Sequence, residues 1–293
     1  MPSELLEDNI LKNLEKLHFK VQRKFLGRHQ GTHASFKKGQ GVEFSDFCTY
    51  SLGDNPKNID WNIYAKTEKL YIKEFKEYEN MNFFIYLDAS NSMSVNEENL
   101  YKNTSKFDKA KKITAALSYI ALINNEDLTI ASSNNLISNR ISNKKNFSKV
   151  LYALNSIKTS NDDFFGDNLS LYLSKIKFPG VAVCISDFLT PFERIKQGLD
   201  KIRNKNLDVF LIQINDKNFI SSYENKNAKF IDSETKEERV LNLNQDILSQ
   251  YMQKFNKHLE LIKTYSQKYN IKFHTLNLDD DLLTFLNKTS LCY

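Results

Sequence analysis

The stretch from residue 83 to residue 93 constrains the fold of this 293-residue chain more than any other. It begins with an unbroken apolar run, Phe83–Leu87. A strand with no polar alternation needs cover on both faces, which is typical of a central strand in a parallel sheet with helices above and below. The run therefore predicts an α/β architecture wound around this strand.

The sequence on either side of this strand alternates apolar strands with amphipathic helices. Further strands are predicted at residues 128–131, 181–186, 207–214 and 271–276. Apolar residues at helical spacing predict helices at residues 104–124, 146–157, 169–176, 193–203 and 246–268. Residues 228–232 and 239–243 are predicted to pair as a hairpin. This order predicts a doubly wound, mostly parallel sheet with helices on both faces.

Three segments are distinguished: residues 1–38, 39–80 and 81–293. The first is predicted to hold a helix over residues 4–24, followed by a basic loop. Nearly all charges in residues 12–38 are positive, which leaves open a patch for nucleic acid or a membrane surface. A solvated helix face with a flexible loop is the favoured interpretation, and no nucleic-acid partner is expected.

Composition and cysteine usage give the expected compartment. No apolar run reaches the roughly 18–20 residues of a membrane span, and the charged first residues contain no signal-peptide core. The three cysteines, Cys48, Cys184 and Cys292, are far apart and fit reduced thiols. The net charge of +5 is mild. We therefore expect a cytoplasmic protein with no integral membrane segment.

Polar residues with oxygen donors follow two of the predicted strands. Asp88, Ser90 and Ser92 come directly after the central strand, and Asp187 comes after the strand at residues 181–186. Ligands of open α/β sheets bind at the carboxyl ends of strands, and these hard donors suit Mg²⁺ or Mn²⁺. The sequence therefore predicts a metal site there. A serine-capped helix N-terminus without metal is the alternative.

This Asp-x-Ser-x-Ser pattern resembles the metal-ion-dependent adhesion site (MIDAS) of von Willebrand factor type A domains. The resemblance implies that Asp187 is the second aspartate of the site. It places Asp167 where such domains usually have a threonine, which is a departure that adds negative charge. Thr159 is a fallback ligand, and helix capping is the alternative role of Asp167.

Four motifs precede the central strand: Gly39-x-Gly41-x-Glu43-Phe44, Tyr50-x-x-Gly53-Asp54, Ile59-Asp60-Trp61 and Leu70-Tyr71-Ile72-Lys73-Glu74. Together with the Asp-x-Ser-x-Ser strand into which they run, they span about 55 residues. In this order they resemble the bacterial family called domain of unknown function 58, which joins such a signature to a von Willebrand-like domain. The resemblance covers residues 39–293. It implies a chaperone-like adaptor that acts with MoxR-type AAA+ ATPases.

The roles of Asp54, Asp60 and Trp61 in this signature stay open between two interpretations. In the first they are a turn carboxylate, a helix cap and a buried aromatic; in the second they bind a partner. We expect residues 39–78 to pack on the sheet domain, with Trp61 mostly buried in the joint.

Enzyme motifs are missing from the sequence. It contains no P-loop, no Gly-x-Ser-x-Gly elbow and no His-Glu-x-x-His, and no histidine or lysine is close in sequence to the predicted ligands. A non-catalytic, metal-dependent protein-interaction module is therefore the favoured function, with Mg²⁺ binding a carboxylate of the partner. The alternative is a metal-dependent phosphoesterase or other hydrolase that uses Asp88, Asp167 and Asp187.

Overall fold

The computed structural model describes residues 5–17, 33–38, 43–79, 81–94, 105–133, 135–161, 165–166, 168–176, 180–216, 227–231, 238–242 and 245–289. The first elements in chain order are α1 (Asp8–Leu14), β1 (His33–Lys38), β2 (Glu43–Thr49), α2 (Trp61–Thr67) and β3 (Tyr71–Glu79). They are followed by β4 (Asn82–Leu87), α3 (Lys106–Ile123), β5 (Asp127–Ser132), β6 (Leu136–Ile141), α4 (Phe147–Ser156), α5 (Asn168–Ser174) and β7 (Gly180–Ser186). The last elements are α6 (Phe192–Arg203), β8 (Leu207–Asn215), β9 (Asn227–Ile231), β10 (Glu238–Asn242), α7 (Gln245–Lys268), β11 (Lys272–Asn277) and α8 (Leu282–Lys288).

Six of these strands form one sheet in the order β11-β8-β7-β4-β5-β6. All neighbours run parallel except β6, which pairs antiparallel with β5. The prediction of a mixed α/β fold with a mostly parallel sheet is therefore confirmed. The edge strand β6 was not predicted, because its sequence, LISNRI, is only partly buried and lacks a regular apolar alternation.

Strand β4 is buried on both faces, as its apolar run predicted. Phe83, Ile85 and Leu87 belong to one core, which they share with residues of α1, α3, α4 and α8. Phe84 and Tyr86 belong to a second core, formed with residues of α5, α6 and α7. Since side chains alternate along a strand, helices cover the sheet from both sides.

The chain reverses direction across the sheet at β4. From β4 it runs outward through β5 and β6, then returns to the other side of β4 as β7 and continues through β8 to β11. A Cβ atom on Gly180 would lie 1.9 Å from the carbonyl oxygen of Asn82, so the strand contact requires glycine there. Because the chain passes from β5 on one side of β4 to β7 on the other, the carboxyl ends of β4 and β7 flank the topological switch point. Ligands of open α/β sheets bind at such a point.

The segment before β4 forms a second sheet. Strands β1, β3 and β2 pair antiparallel in that order, and α2 lies between β2 and β3 in the chain. The Asp54 carboxylate accepts a hydrogen bond from the Ser51 N–H. Asp60 caps α2 through the N–H groups of Asn62 and Ile63. These two carboxylates therefore have the structural roles of turn and cap.

Trp61 corrects one expectation: 61% of it is exposed, so it is not the buried aromatic predicted for the joint. It occupies the first position of α2, where its ring packs edge to face on that of Tyr64, itself exposed. The cap at Asp60 fixes where the helix begins, and it leaves Trp61 largely in solvent.

Helix α1 is shorter than the helix predicted for residues 4–24, because it ends at Leu14. Residues 18–24 lie outside the described residues, as does most of the basic segment 12–38. After α1, the Glu15 carboxylate accepts hydrogen bonds from Tyr119 (2.9 Å) and Lys144 (2.6 Å).

The predicted hairpin is confirmed as β9 and β10. In the part of the chain that the structure describes, no helix combines the length and apolar character needed to cross a membrane.

Candidate functional site

The ends of β4 and β7 bring the two predicted aspartates to one edge of the sheet. Leu87 pairs with Ile185, and the Asp88 N–H extends this ladder by donating to the Ile185 carbonyl (2.9 Å). Asp88 follows the last residue of β4, and Asp187 follows the last residue of β7. Neighbouring strand ends therefore carry the two carboxylates, as predicted. The third predicted aspartate, Asp167, lies outside the described residues.

Asp88 is 1% exposed, and it is held by the turn that follows β4 and by the last residue of β7. Its Oδ1 accepts from the Ser90 N–H (2.8 Å), and its Oδ2 accepts from the Ser186 hydroxyl (2.5 Å). The Ser186 Oγ in turn accepts from the Phe188 N–H (2.8 Å). Ser186 is thus a positioning residue that the sequence analysis did not select. The sequence indicated this role only by placing a serine at the end of the strand that lies beside Asp88.

The protonation of Asp88 reflects this environment. Burial raises the pKa of the Asp88 carboxyl, and the neighbouring charge of Asp187 raises it further, to about 6. Hydrogen bonds from Ser186 and Ser90 oppose the rise. Neighbouring buried carboxylates repel one another, and a cation beside them would relieve that cost.

The two serine hydroxyls lie side by side in the turn that follows β4. Their Oγ atoms form a hydrogen bond of 3.0 Å, in which either hydroxyl can donate, with Ser90 buried and Ser92 half-buried. Two oxygens that occupy adjacent corners of an octahedron, each about 2.1 Å from Mg²⁺, are about 3.0 Å apart. The hydroxyl spacing therefore fits a shared metal ion. The Ser160 N–H donates to the Ala89 carbonyl (2.8 Å), which brings the loop that contains Thr159 beside this turn.

Lys106 is a second residue of this site that was not predicted from the sequence. Its Nζ donates to Asp187 Oδ2 (2.6 Å), and its side chain is 16% exposed. Lys106 is distant from Asp187 along the chain, and the absence of a lysine close in sequence therefore did not exclude one at the site. A helix that follows a parallel strand begins at the same sheet edge where that strand ends. As the first residue of α3, Lys106 reaches Asp187 from there.

Helix α7 holds the backbone that follows Asp187. The His258 Nε2 donates to the Phe188 carbonyl (2.8 Å), and Phe188 is fully buried in a left-handed conformation, with φ of 55°. Such a conformation is uncommon for a bulky residue and needs support from its surroundings. The Leu189 N–H donates to Asp187 Oδ1 (3.2 Å). These contacts fix the orientation of the Asp187 carboxylate.

The sequence matches the family described as Protein of unknown function DUF58 over residues 46–260. The chain belongs to the DUF58 family. The matched range is narrower than residues 39–293: it begins after the Gly39-x-Gly41-x-Glu43-Phe44 motif and ends within α7. It includes the ends of β4 and β7, so the site lies within the family region of this DUF58 protein.

Solved structures resemble this DUF58 chain only distantly. BatB from Bacteroides thetaiotaomicron, a conserved hypothetical protein, has 13% identity and a TM-score of 0.44, over 71% of this chain and 96% of its own. An aerotolerance-related membrane protein from Bacteroides fragilis has 14% identity and a TM-score of 0.42, over 72% of this chain and 100% of its own. No curated protein matches the sequence.

The donor set of this DUF58 site limits its chemistry. Among the described residues, no three histidine, cysteine, aspartate or glutamate side chains come together as a possible metal group. Within the described part of the chain, the acidic groups of the site are Asp88 and Asp187, and the hydroxyls of Ser90 and Ser92 are its neutral donors. Oxygen donors of this kind favour Mg²⁺ or Mn²⁺ over zinc or copper.

Proposed function

We propose that this protein is a non-catalytic, metal-dependent interaction module of the von Willebrand factor type A kind. Asp88, Ser90, Ser92 and Asp187 would hold Mg²⁺ or Mn²⁺, and a carboxylate of a protein partner would complete the coordination. The observation that carries the proposal is the pair of Ser90 and Ser92 hydroxyls, hydrogen-bonded to one another at 3.0 Å, beside the buried Asp88 and next to the strand end that carries the buried Asp187. Such a spacing suits two adjacent ligands of an octahedral ion.

Each residue has a distinct part in this proposal. Asp88 and Asp187 supply negative charge, and the hydroxyls of Ser90 and Ser92 supply neutral donors. Ser186 and the Ser90 N–H hold the Asp88 carboxylate in place. A bound ion would supply a positive centre that selects carboxylates. Because Ser92 is half-buried, the site borders solvent, where a partner's side chain can approach. Asp167 stays a candidate further ligand.

The partner in this proposal is a MoxR-type AAA+ ATPase or its client. The family resemblance supports this choice, since related proteins are commonly encoded beside such ATPases. An ATPase needs ATP, so the proposal also keeps the interaction in the cytoplasm. Neither nucleic acid nor an integral membrane segment is part of it.

A pull-down with the purified MoxR-type ATPase of the same genome tests the proposal. Wild type should retain the ATPase in Mg²⁺, lose it in chelator and regain it when Mg²⁺ is restored. Asp88→Ala and the double change Ser90→Ala with Ser92→Ala should fail to bind while keeping their circular dichroism spectra. Asp246→Ala, at an exposed position of α7, serves as the matched control and should bind normally. Binding that survives both chelator and Asp88→Ala would contradict the proposal.

A metal-dependent phosphoesterase is the second candidate, and the position of Lys106 favours it. An ammonium 2.6 Å from Asp187 is a group that can donate a proton to a leaving oxygen. Phosphomonoester and phosphodiester substrates with Mn²⁺ separate the two functions. Turnover by wild type that is lost in Asp88→Ala would favour the hydrolase. A rate equal to that of Asp88→Ala would favour the interaction module.

A further inference from the structure

We infer that Lys106 is the resident cation of the metal-free site and competes with the metal ion for Asp187. This inference rests on the proposed metal site. It assigns to Lys106 the control of metal affinity, and it concerns the part of the chain that the structure describes.

The charges at the sheet edge support this role. Asp88 and Asp187 are both buried, and a buried carboxylate is costly unless a partner of opposite charge lies against it. The Lys106 Nζ lies 2.6 Å from Asp187 Oδ2, the length of a charge-assisted hydrogen bond. The ammonium therefore gives Asp187 the positive neighbour that a metal ion would otherwise give it.

The use of the Asp187 oxygens explains why the two cations compete. Oδ1 accepts the N–H of Leu189, and Lys106 binds Oδ2. A metal ion that takes Oδ2 has to displace the ammonium or to share the oxygen with it at close range. Since like charges repel strongly at a poorly solvated site, the metal binds only as the ammonium moves away.

The position of Lys106 in its helix is a second, independent argument. It is the first residue of α3, where the helix dipole disfavours positive charge. The helix start is already satisfied by a capping box between Ser105 and Asp108. The local helix therefore gives no reason for a lysine at this position, whereas the pairing with Asp187 does.

Other lysines of α3 have different partners. The Lys109 Nζ donates to the carbonyl of Leu278 (2.9 Å) and to that of Asp280. The Lys111 Nζ lies 4.4 Å from the centre of the Phe107 ring. Lys112, also on α3, is half-buried. Lys112→Met therefore removes one positive charge from the same helix without removing the contact to Asp187, which makes it the matched control.

Titration of the full-length protein with Mn²⁺ tests the inference, with free Mn²⁺ measured by electron paramagnetic resonance. Lys106→Met should bind Mn²⁺ at least tenfold more tightly than wild type. Lys106→Arg, which keeps the charge, should stay within about threefold of wild type, and Lys112→Met within about twofold. Equal or weaker binding by Lys106→Met would overturn the inference and leave the metal site standing. If no variant binds Mn²⁺, the proposed metal site fails, and the inference fails with it.

A second measurement uses the wild-type chain and so does not depend on how a variant folds. Acetic anhydride modifies accessible amines, and mass spectrometry reports the modification of each lysine. Adding Mn²⁺ should raise the modification of Lys106 at least threefold, because the ammonium leaves Asp187, whereas that of Lys112 should stay constant. An unchanged Lys106 in a sample that binds Mn²⁺ would overturn the inference.

Discussion

The Ser186 hydroxyl donates a 2.5 Å hydrogen bond to Oδ2 of Asp88, so the last residue of β7 holds the carboxylate that follows β4. The Ser186 hydroxyl oxygen also accepts a hydrogen bond from the Phe188 N–H. One small side chain therefore links the two strand ends at the switch point and orients the backbone that leads out of Asp187.

The substitution Ser186→Ala tests this link. It removes one of the side-chain donors to the Asp88 carboxylate and also the hydroxyl that accepts the Phe188 N–H. We expect a loss of about 1–3 kcal/mol in the free energy of unfolding, the usual cost of a buried polar group without a partner. Urea denaturation measures it. Ser174→Ala, at an exposed position of α5, should change stability by less than about 0.5 kcal/mol.

The raised pKa of Asp88 predicts how the stability of the metal-free protein depends on pH. Since the folded-state pKa of about 6 lies above that of the unfolded chain, the stabilisation from this group is complete below about pH 4 and disappears as the pH rises through about 6. In chelator, lowering the pH from 7.5 to 5 should therefore raise the contribution of Asp88 to the free energy of unfolding by roughly 1–2 kcal/mol.

The matched variant for this measurement is Asp88→Asn, which cannot titrate. The difference in stability between wild type and Asp88→Asn should change with pH by the same roughly 1–2 kcal/mol, because all other titrating groups are shared. Profiles that run parallel would show that Asp88 has an ordinary pKa in the folded protein.

The exposure of Trp61 predicts a small effect of Trp61→Ala. With 61% of the residue in solvent, its removal should lower the free energy of unfolding by less than about 1 kcal/mol. Phe84→Ala provides the contrast: Phe84 is fully buried in β4, and such a change typically costs about 3–5 kcal/mol. Comparable losses in the two variants would place Trp61 in a core.

The parts of the fold that the sequence predicted depend on strong local patterns. The apolar run of β4 and the polar residues that follow it predicted a buried central strand with Asp88 at its end, and the same pattern located Asp187 after β7. A pattern along the chain carries less information about contacts between distant elements. Lys106 meets Asp187 across 81 positions, and only the return of α3 to the sheet edge brings them together.

Trp61 and β6 were missed for other reasons. An aromatic residue in a motif suggests a core, but the cap at Asp60 begins α2 at Trp61, and the residue remains in solvent. Strand β6 forms at the sheet edge, where one neighbour is enough and an apolar alternation is not needed. In both cases the surroundings outweighed the pattern.

The most direct test of the central claim is the effect of Mg²⁺ on the unfolding of wild type and Asp88→Ala. An ion that binds the folded state alone adds RT ln(1 + [L]/Kd), or about 2.7 kcal/mol at a hundredfold excess over Kd. Millimolar Mg²⁺ should raise the melting temperature of wild type and leave that of Asp88→Ala unchanged. An equal rise in both proteins, or no rise in either, would contradict a metal ion bound by Asp88.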